Sequence, residues 1–189
     1  MSCLRKSMAE RFTKESRLIS YFLRHHPEEI EGGADSQGWV NIDSLVKEVA
    51  KKYKHFDREI LDIIVAEDEK TRYKIQGSKI RASQGHSTEY VKIDFKRETP
   101  PDTLFHGTTS NVVSLILKEG IKAQRRHYVH LSEQESTAKS VGTRHGPPAL
   151  IMIDSKEMHE KGIEFYKADN GVWLTRFVDP AYILSIQYP

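Results

Sequence analysis

Two arginines and two histidines lie within six residues of the segment RRHYVHLS, residues 125–132. The middle of this segment reads as a β-strand, on which successive side chains point to opposite faces, so Arg126, Tyr128 and His130 are expected to share a face. A guanidinium is always charged and offers forked donors that match phosphate oxygens. The segment therefore predicts one wall of a site for a phosphorylated ligand.

Other arginines and histidines could serve the same chemistry: Arg24, His25, Arg72, His106, Arg144 and His145. Charged residues make up 30% of the chain, so most single arginines are expected to lie solvated on the surface. Arg24 and His25 end a predicted helix shortly before Pro27, where the helix dipole favours a cation. That effect accounts for one cation and leaves the pair unexplained.

A metal site is not expected, although nine histidines are present. The single cysteine, Cys3, excludes a disulfide and a thiolate zinc site. His127 and His130 would face opposite sides of the strand, and no His-Glu-x-x-His helix occurs. Walker-type and Rossmann glycine motifs are also missing from the sequence, so a nucleotide would be held in another way.

Two short motifs have a structural and a functional interpretation. His106, Gly107 and Thr108 end a predicted strand, where a glycine would let a ligand approach the backbone and its neighbours would supply hydrogen bonds. Ser132 could line the same site or simply cap the following helix. The sequence alone leaves both interpretations open.

Charge and hydropathy restrict the class of protein. The net charge is +2, with 19 Lys and Arg against 16 Asp and Glu in residues 1–97 and 10 against 11 in residues 98–189. The first half is thus mildly basic, which suits a polyanion without requiring one. No apolar run is long enough to span a bilayer, and neither a signal peptide nor a sustained heptad pattern is present. A cytoplasmic monomer is expected.

The first half predicts three helices and a hairpin. The helices are expected at 13–26, after Asp43 or Ser44, and from Asp57 to Ala66; a short strand at 38–42 precedes the second helix. The hairpin turns at Gln76-Gly77-Ser78, and a further strand is expected at 91–95. This order predicts a winged helix-turn-helix domain. The break at Thr99-Pro100-Pro101 places the domain boundary so that residues 1–97 and 98–189 form separate domains.

The second half predicts an α+β domain of many short strands. The expected strands lie at 104–108, 149–153 and 183–186, with a hairpin that turns at Asp169-Asn170-Gly171. The expected helices are one that Gly120 ends, one at 133–141, and one that Ser155 caps and that ends near Gly162.

Seven motifs occur in an order that resembles the NAD-dependent RNA 2′-phosphotransferase family. They are LRHHP at 23–27, KTRY at 70–73, IRASQGHS at 80–87, LFHGT at 104–108, RHYVHLS at 126–132, GTRHG at 142–146 and NGVWL at 170–174. Each motif is weak alone, but seven in order, across about residues 16–184, are highly specific.

The resemblance implies an N-terminal winged-helix RNA lobe and a C-terminal ADP-ribosyltransferase-like lobe. It implies removal of an internal RNA 2′-phosphate in two steps. The phosphate first attacks the nicotinamide-bearing ribose of NAD, giving ADP-ribosylated RNA and nicotinamide. The ADP-ribose 2″-hydroxyl then attacks the phosphate, giving 2′-OH RNA and ADP-ribose 1″,2″-cyclic phosphate. The partners implied are NAD, which is consumed as a co-substrate, and a tRNA-like RNA. No metal is implied. The processes implied are tRNA splicing or RNA repair.

The resemblance also assigns residues to roles. The family's essential Arg-His-Arg-Arg set falls on Arg24, His25, Arg72 and Arg126, although Arg125 could compete with Arg126. The NAD side comprises His106, Gly107, Thr108, Tyr128, His130, Ser132, Arg144, His145, Asn170 and Val172. The RNA or its phosphate is expected to contact Arg81, Gln84, His86 and Ser87.

Two other functions compete with this interpretation. An ADP-ribosyltransferase that caps terminal phosphates of RNA or DNA would perform only the first step. A non-catalytic winged-helix binder would ignore NAD. Val172 stands where many ADP-ribosyltransferases carry a glutamate, and an anionic phosphate nucleophile has no need of a carboxylate, which argues against a protein-modifying transferase.

Overall fold

The computed structural model describes residues 11–142 and 146–188, and the chain divides into two compact units, Met1–Asp94 and Phe95–Pro189. Both units mix helices with antiparallel strands. The prediction of a chain that combines α and β structure is therefore confirmed. No helix in the described part of the chain is both long and apolar enough to cross a membrane.

From residue 11 onward, the first unit packs three α-helices against a three-stranded sheet. The helices are α1 (Thr13–His25), α2 (Ile42–Lys52) and α3 (Arg58–Ala66), and the strands are β1 (Val40–Asn41), β2 (Tyr73–Gln76) and β3 (Lys79–Ala82). The sheet order is β1-β3-β2, with both pairings antiparallel. Ile19, Leu45 and Leu61 give one buried side chain from each helix to a core shared with Ile80.

The predicted helices and hairpin of this unit are confirmed, but one predicted cap is wrong. Asp57 accepts a hydrogen bond from the backbone of Ile60 and caps α3, as expected. Helix α2 is capped by Asn41, the last residue of β1, and not by Asp43 or Ser44. The helix begins directly where the strand ends, so the first side chain able to reach the Ser44 amide is Asn41, at 3.0 Å.

The strand predicted at 91–95 is also wrong. Val91 is fully buried, which explains the apolar alternation, but the segment joins no sheet. Its backbone is bound instead by Ser36, whose carbonyl accepts from Lys92, and by the Gln37 side chain, which donates to the Lys92 carbonyl and accepts from the Asp94 amide.

The second unit contains nine short strands and three α-helices within the described residues. The strands are β4 (Lys96–Arg97), β5 (Thr103–Thr109), β6 (Ile121–Lys122), β7 (Val129–Leu131), β8 (Pro148–Asp154), β9 (Tyr166–Lys167), β10 (Trp173–Thr175), β11 (Phe177–Val178) and β12 (Ile183–Gln187). The helices are α4 (Val113–Glu119), α5 (Glu135–Gly142) and α6 (Ser155–Glu160). The sheet orders are β4-β9-β10-β7, β12-β8-β5 and β11-β6.

Most predicted elements of this unit are confirmed. Gly120 ends α4, and the hairpin of β9 and β10 turns at the expected residues. Ser155 is not the cap of α6, because its side chain is fully buried and donates to the Pro101 carbonyl at 2.6 Å. Asp154 caps the helix instead by accepting from the Glu157 amide.

The strand expected to run through residues 126–130 is shorter than predicted. Strand β7 begins at Val129, so the argument from strand alternation does not apply to Arg126 or Tyr128. A turn in which the Arg126 amide donates to the Ala123 carbonyl precedes the strand, and Gln124 adopts a positive φ of 55° there. This turn delays the extended backbone by three residues.

Candidate active site

In the first unit, the segment Ser83–Ser87 (the connecting segment) touches all three residues predicted to be catalytic there. Its first residue donates a backbone hydrogen bond to the Arg72 carbonyl at 2.8 Å. Its last residue donates a backbone hydrogen bond to the Arg24 carbonyl at 3.0 Å. The end of α1 and the start of β2, which are distant in sequence, are thus held by one stretch of five residues.

The side chains of Arg24 and His25 also lie against this segment. Ser87 Oγ is 2.9 Å from His25 Nδ1, which fixes the imidazole by one of its two nitrogens. Gly85 adopts a φ of +91°, and a Cβ on it would lie 3.5 Å from Cδ and Nε of Arg24. The glycine therefore permits a backbone conformation that other residues rarely adopt, next to the arginine.

Arg72 is held by a carboxylate that the sequence analysis did not select. Asp68 accepts from the Arg72 amide at 2.5 Å and from Nη1 of its guanidinium, and only 3% of the Asp68 side chain is exposed. Thr71, which directly precedes Arg72, has a φ of +41°. Ser83 stabilises this bend, since its Oγ donates to the Thr71 carbonyl at 2.7 Å.

The residues predicted to contact RNA differ in exposure. Arg81 is half-buried, with its guanidinium 4.7 Å from the ring centre of Trp39 and Nη1 donating to the Gln37 carbonyl at 3.3 Å. His86 is buried, with 4% of its surface exposed. Gln84 is half-buried, and its Oε1 is a buried acceptor with no hydrogen-bond partner among the described residues.

In the second unit, His106, His130 and Arg126 form a cluster. Because a carbonyl can only accept, His106 Nδ1 donates to the His130 carbonyl, 3.1 Å away. Arg126 Nη1 donates in turn to His130 Nδ1 at 3.4 Å. Burial lowers the pKa of His106, the hydrogen bond to His130 opposes this, and the positive charge of Arg126 lowers the pKa further.

These contacts define the protonation state of His106. A lowered pKa keeps the imidazole neutral near pH 7, and the donor role of Nδ1 leaves Nε2 as the acceptor nitrogen. Arg125 and Arg126 are both exposed, and Arg126 is the one that donates to His130 and whose charge acts on His106.

Gly107 is required by packing. A Cβ built on this residue would lie 1.8 Å from the carbonyl oxygen of Ala138, so α5 covers that face of β5. Since strand side chains alternate, His106 and Thr108 project from the opposite face. The glycine thus lets a helix approach the strand, while its predicted role toward a ligand stays a prediction.

The other predicted NAD-side residues lie at strand ends and turns. Ser132 exchanges two backbone hydrogen bonds of 2.9 Å with Phe105, which joins β7 to β5. Tyr128 packs edge-on against Phe95 and Tyr166, and the Arg176 guanidinium lies 4.3 Å from its ring centre. Ser132 and Tyr128 are both half-buried.

Asn170 and Val172 belong to the hairpin turn between β9 and β10. The Val172 carbonyl accepts from the Ala168 amide at 2.9 Å, and the Val172 amide approaches Asn170 Oδ1 at 3.4 Å.

The hairpin of β9 and β10 is bound by Glu133, the residue after Ser132. Glu133 accepts from Trp173 Nε1 at 2.7 Å and from Lys167 Nζ at 2.9 Å. Both hydrogen bonds lower the pKa of Glu133, and the one from Lys167 has the larger effect.

Arg144 and His145 lie outside the described residues, so their predicted role stays a prediction. Among residues 11–142 and 146–188, no group of three or more His, Cys, Asp or Glu side chains is arranged to hold a metal ion. The groups found are instead guanidiniums, imidazoles and hydroxyls, a donor set suited to phosphate oxygens.

Two carboxylates were not predicted from the sequence: Asp68, which binds Arg72, and Glu133, which binds the hairpin that carries Asn170 and Val172. A spacing of four residues between Asp68 and Arg72 was the only signal for the first, and this spacing is informative mainly within helices. No local pattern connects Glu133 with Trp173, which is 40 residues away.

Comparison with known proteins shows the family to which the chain belongs. The model of the "RNA 2'-phosphotransferase, Tpt1 / KptA family" matches residues 10–177. The chain is 46% identical over 165 residues to the RNA 2'-phosphotransferase of Escherichia coli strain K12, covering 86% of this chain and 90% of that protein. Proteins called probable RNA 2'-phosphotransferase in Escherichia coli O9:H4 and in Shigella boydii serotype 18 are each 47% identical over the same shares. The chain belongs to the RNA 2'-phosphotransferase family, a family of transferases.

Proposed function

We propose that this protein uses NAD to remove an internal 2′-phosphate from RNA. The observation that carries the proposal is the connecting segment Ser83–Ser87, which holds Arg24, His25 and Arg72 in the first unit. The guanidinium of Arg72, which Asp68 fixes, the guanidinium of Arg24 and an anchored imidazole suit a phosphate dianion that becomes a diester and then a crowded transphosphorylation transition state. Arg126, in the second unit, is the fourth member of the set.

The first step forms a bond between a 2′-phosphate oxygen and the C1″ atom of the NAD ribose, while the bond from C1″ to nicotinamide breaks. In the second step the 2″-hydroxyl loses its proton to solvent and attacks phosphorus, and the bond from phosphorus to the RNA 2′-oxygen breaks. His25 donates a proton to that leaving oxygen. Ser87 supports this role because its hydroxyl holds the imidazole by Nδ1.

The residues of the second unit fit NAD. Nε2 of neutral His106 is an acceptor and suits a ribose hydroxyl, which is a donor. Thr108 projects from the same face of β5, while Tyr128, His130, Ser132, Asn170 and Val172 are proposed to complete the NAD side. Among the RNA contacts, the buried acceptor of Gln84 suits a hydroxyl of the ribose backbone.

The two units receive different roles in this proposal. The order of helices and hairpin in the first unit supports a winged-helix RNA lobe, and residues 98–189 are proposed as an ADP-ribosyltransferase-like lobe. Val172 supports a phosphate acceptor, since a carboxylate at that position would repel an anionic nucleophile.

The test is to incubate the protein with an oligonucleotide that carries one internal 2′-phosphate, with and without NAD. Loss of the phosphate is expected only with NAD and is expected to persist in the presence of a strong chelator. Persistence of the ADP-ribosylated strand would favour the capping of terminal phosphates, and binding without reaction would favour the non-catalytic alternative.

A further inference from the structure

The outer face of the β1-β3-β2 sheet combines lysines, an arginine, amides and a tryptophan. In the sheet register Lys74 pairs with Arg81 and Gln76 with Lys79, while Asn41 also pairs with Lys79. The neighbours Val40, Ile80 and Ala82 are buried, so the alternate residues face away from the core. We call this surface, formed by Trp39, Asn41, Lys74, Gln76, Lys79 and Arg81, the outer sheet face.

The arginine and the tryptophan of this face form a stack. The Arg81 guanidinium carbon lies 4.7 Å from the ring centre of Trp39, and a hydrogen bond from Nη1 to the Gln37 carbonyl fixes its orientation. Guanidinium planes and aromatic rings are the surfaces on which proteins stack nucleobases, and this pair supplies one of each. Lys79 extends along the same strand and pairs with Asp35 at 3.4 Å, with 56% of its side chain exposed.

The outer sheet face is continuous with the candidate active site. Strand β3 leads from Arg81 through Ala82 into the connecting segment, whose first residue binds the backbone of Arg72. Two strand residues span about 7 Å, so Arg81 lies within the reach of about one nucleotide from the segment that binds Arg72. An RNA whose 2′-phosphate lies at Arg72 would therefore bring its neighbouring nucleotides to this face.

We infer that the outer sheet face binds the single-stranded RNA that flanks the 2′-phosphate. Lys74 and Lys79 contact backbone phosphates, and the stack of Arg81 on Trp39 receives a base. This inference rests on the proposed function. It adds that the protein contacts the RNA over more than the phosphorylated nucleotide.

The experiment compares a 2′-phosphorylated dinucleotide with a 2′-phosphorylated single strand of about ten nucleotides. The quantity measured is the ratio of kcat/KM on the longer RNA to kcat/KM on the dinucleotide. The double variant Lys74→Ala/Lys79→Ala is expected to lower this ratio at least about fivefold. It should also reduce the slope of log KM against log salt for the longer RNA by about 1.4, or about 0.7 for each lost phosphate contact.

The matched control is Lys47→Ala/Lys51→Ala, which removes two exposed lysines of α2 that also pair with carboxylates. This control should leave both the ratio and the salt slope as in the wild type. An unchanged ratio in Lys74→Ala/Lys79→Ala, or an equal loss in the control, would overturn the inference. If the wild type acts on neither substrate, the proposed function itself fails, so the two failures are distinguishable.

Discussion

Ser87 Oγ lies 2.9 Å from Nδ1 of His25, and the Ser87 amide also binds the carbonyl of Arg24. Ser87 follows the β2-β3 hairpin in the chain, and this single residue fixes both the backbone and a side chain at the end of α1. This contact places a constraint on the ring that is proposed to protonate the leaving RNA oxygen.

Replacement of Ser87 by alanine removes the hydroxyl that orients the imidazole. Because a hydrogen bond of this kind contributes about 1 kcal/mol, we expect kcat for 2′-phosphate removal to fall about fivefold, with ADP-ribosylated RNA accumulating in single-turnover experiments. Ser78→Ala, in the exposed hairpin turn, is the control. A normal rate of the second step in Ser87→Ala would contradict a positioning role for Ser87.

Replacement of Asp68 by asparagine tests how Arg72 is positioned. The buried carboxylate accepts two hydrogen bonds from Arg72, one of them from the guanidinium, and a hydrogen bond between charged groups contributes about 1.5–3 kcal/mol. We expect kcat/KM to fall about tenfold or more at a temperature where the variant stays folded, and the melting temperature to fall by several degrees because the pair is buried.

Asp62→Asn is the matched control for Asp68→Asn. Asp62 also pairs with an arginine four residues away, at 2.9 Å from Arg58, but this pair is exposed on α3 and such pairs contribute little. Equal activity of the two variants would show that Asp68 does not position a catalytic group.

The titration of His106 reports the nearby positive charge of Arg126. Burial lowers the pKa of His106 in the folded protein, so the unfolded chain binds the proton more readily, and this residue's contribution to stability is lost as the pH falls below about 6.5. Arg126→Ala should raise the pKa of His106, measured by NMR, because it removes a nearby positive charge. The same shift in Arg125→Ala, the control, would contradict the assignment of Arg126.

Gly107 should not tolerate a side chain. A Cβ at this position would collide with the Ala138 carbonyl, so Gly107→Ala must displace α5 from β5. We expect a loss of about 3 kcal/mol and a melting temperature about 5–10 °C lower. Ser185→Thr, which adds one methyl group at an exposed position of β12, should melt as the wild type does. Unchanged melting of Gly107→Ala would show that the helix does not cover this face.

Local patterns in the sequence predicted those parts of the fold that local interactions determine. The alternation around Gly77 predicts the β2-β3 hairpin, and Asp57 predicts the start of α3, because each signal lies within a few residues of the structure it forms. Cap residues were misassigned where polar residues stand in a row, since the cap depends on where the preceding strand ends. This occurred at Asn41 and again at Asp154.

The predictions failed where distant residues determine the structure. From Val91 to Phe95, apolar residues alternate with polar residues as they would in a strand. The segment is instead bound by Ser36 and Gln37 and joins no sheet. The turn at Gln124 delays β7, so Arg126 reaches His130 from a turn and not along a strand. The motifs identified the candidate catalytic residues, while the contacts of Asp68 and Glu133 require the folded chain.

The most direct test of the proposed function traces the 2′-phosphate itself. An oligonucleotide with a radiolabelled internal 2′-phosphate is incubated with the protein and NAD, and the products are separated. We predict that the label moves into ADP-ribose 1″,2″-cyclic phosphate, with one nicotinamide released for each phosphate removed, and that His25→Ala leaves it on ADP-ribosylated RNA. Release of the label as inorganic phosphate, or its removal without NAD, would contradict the account.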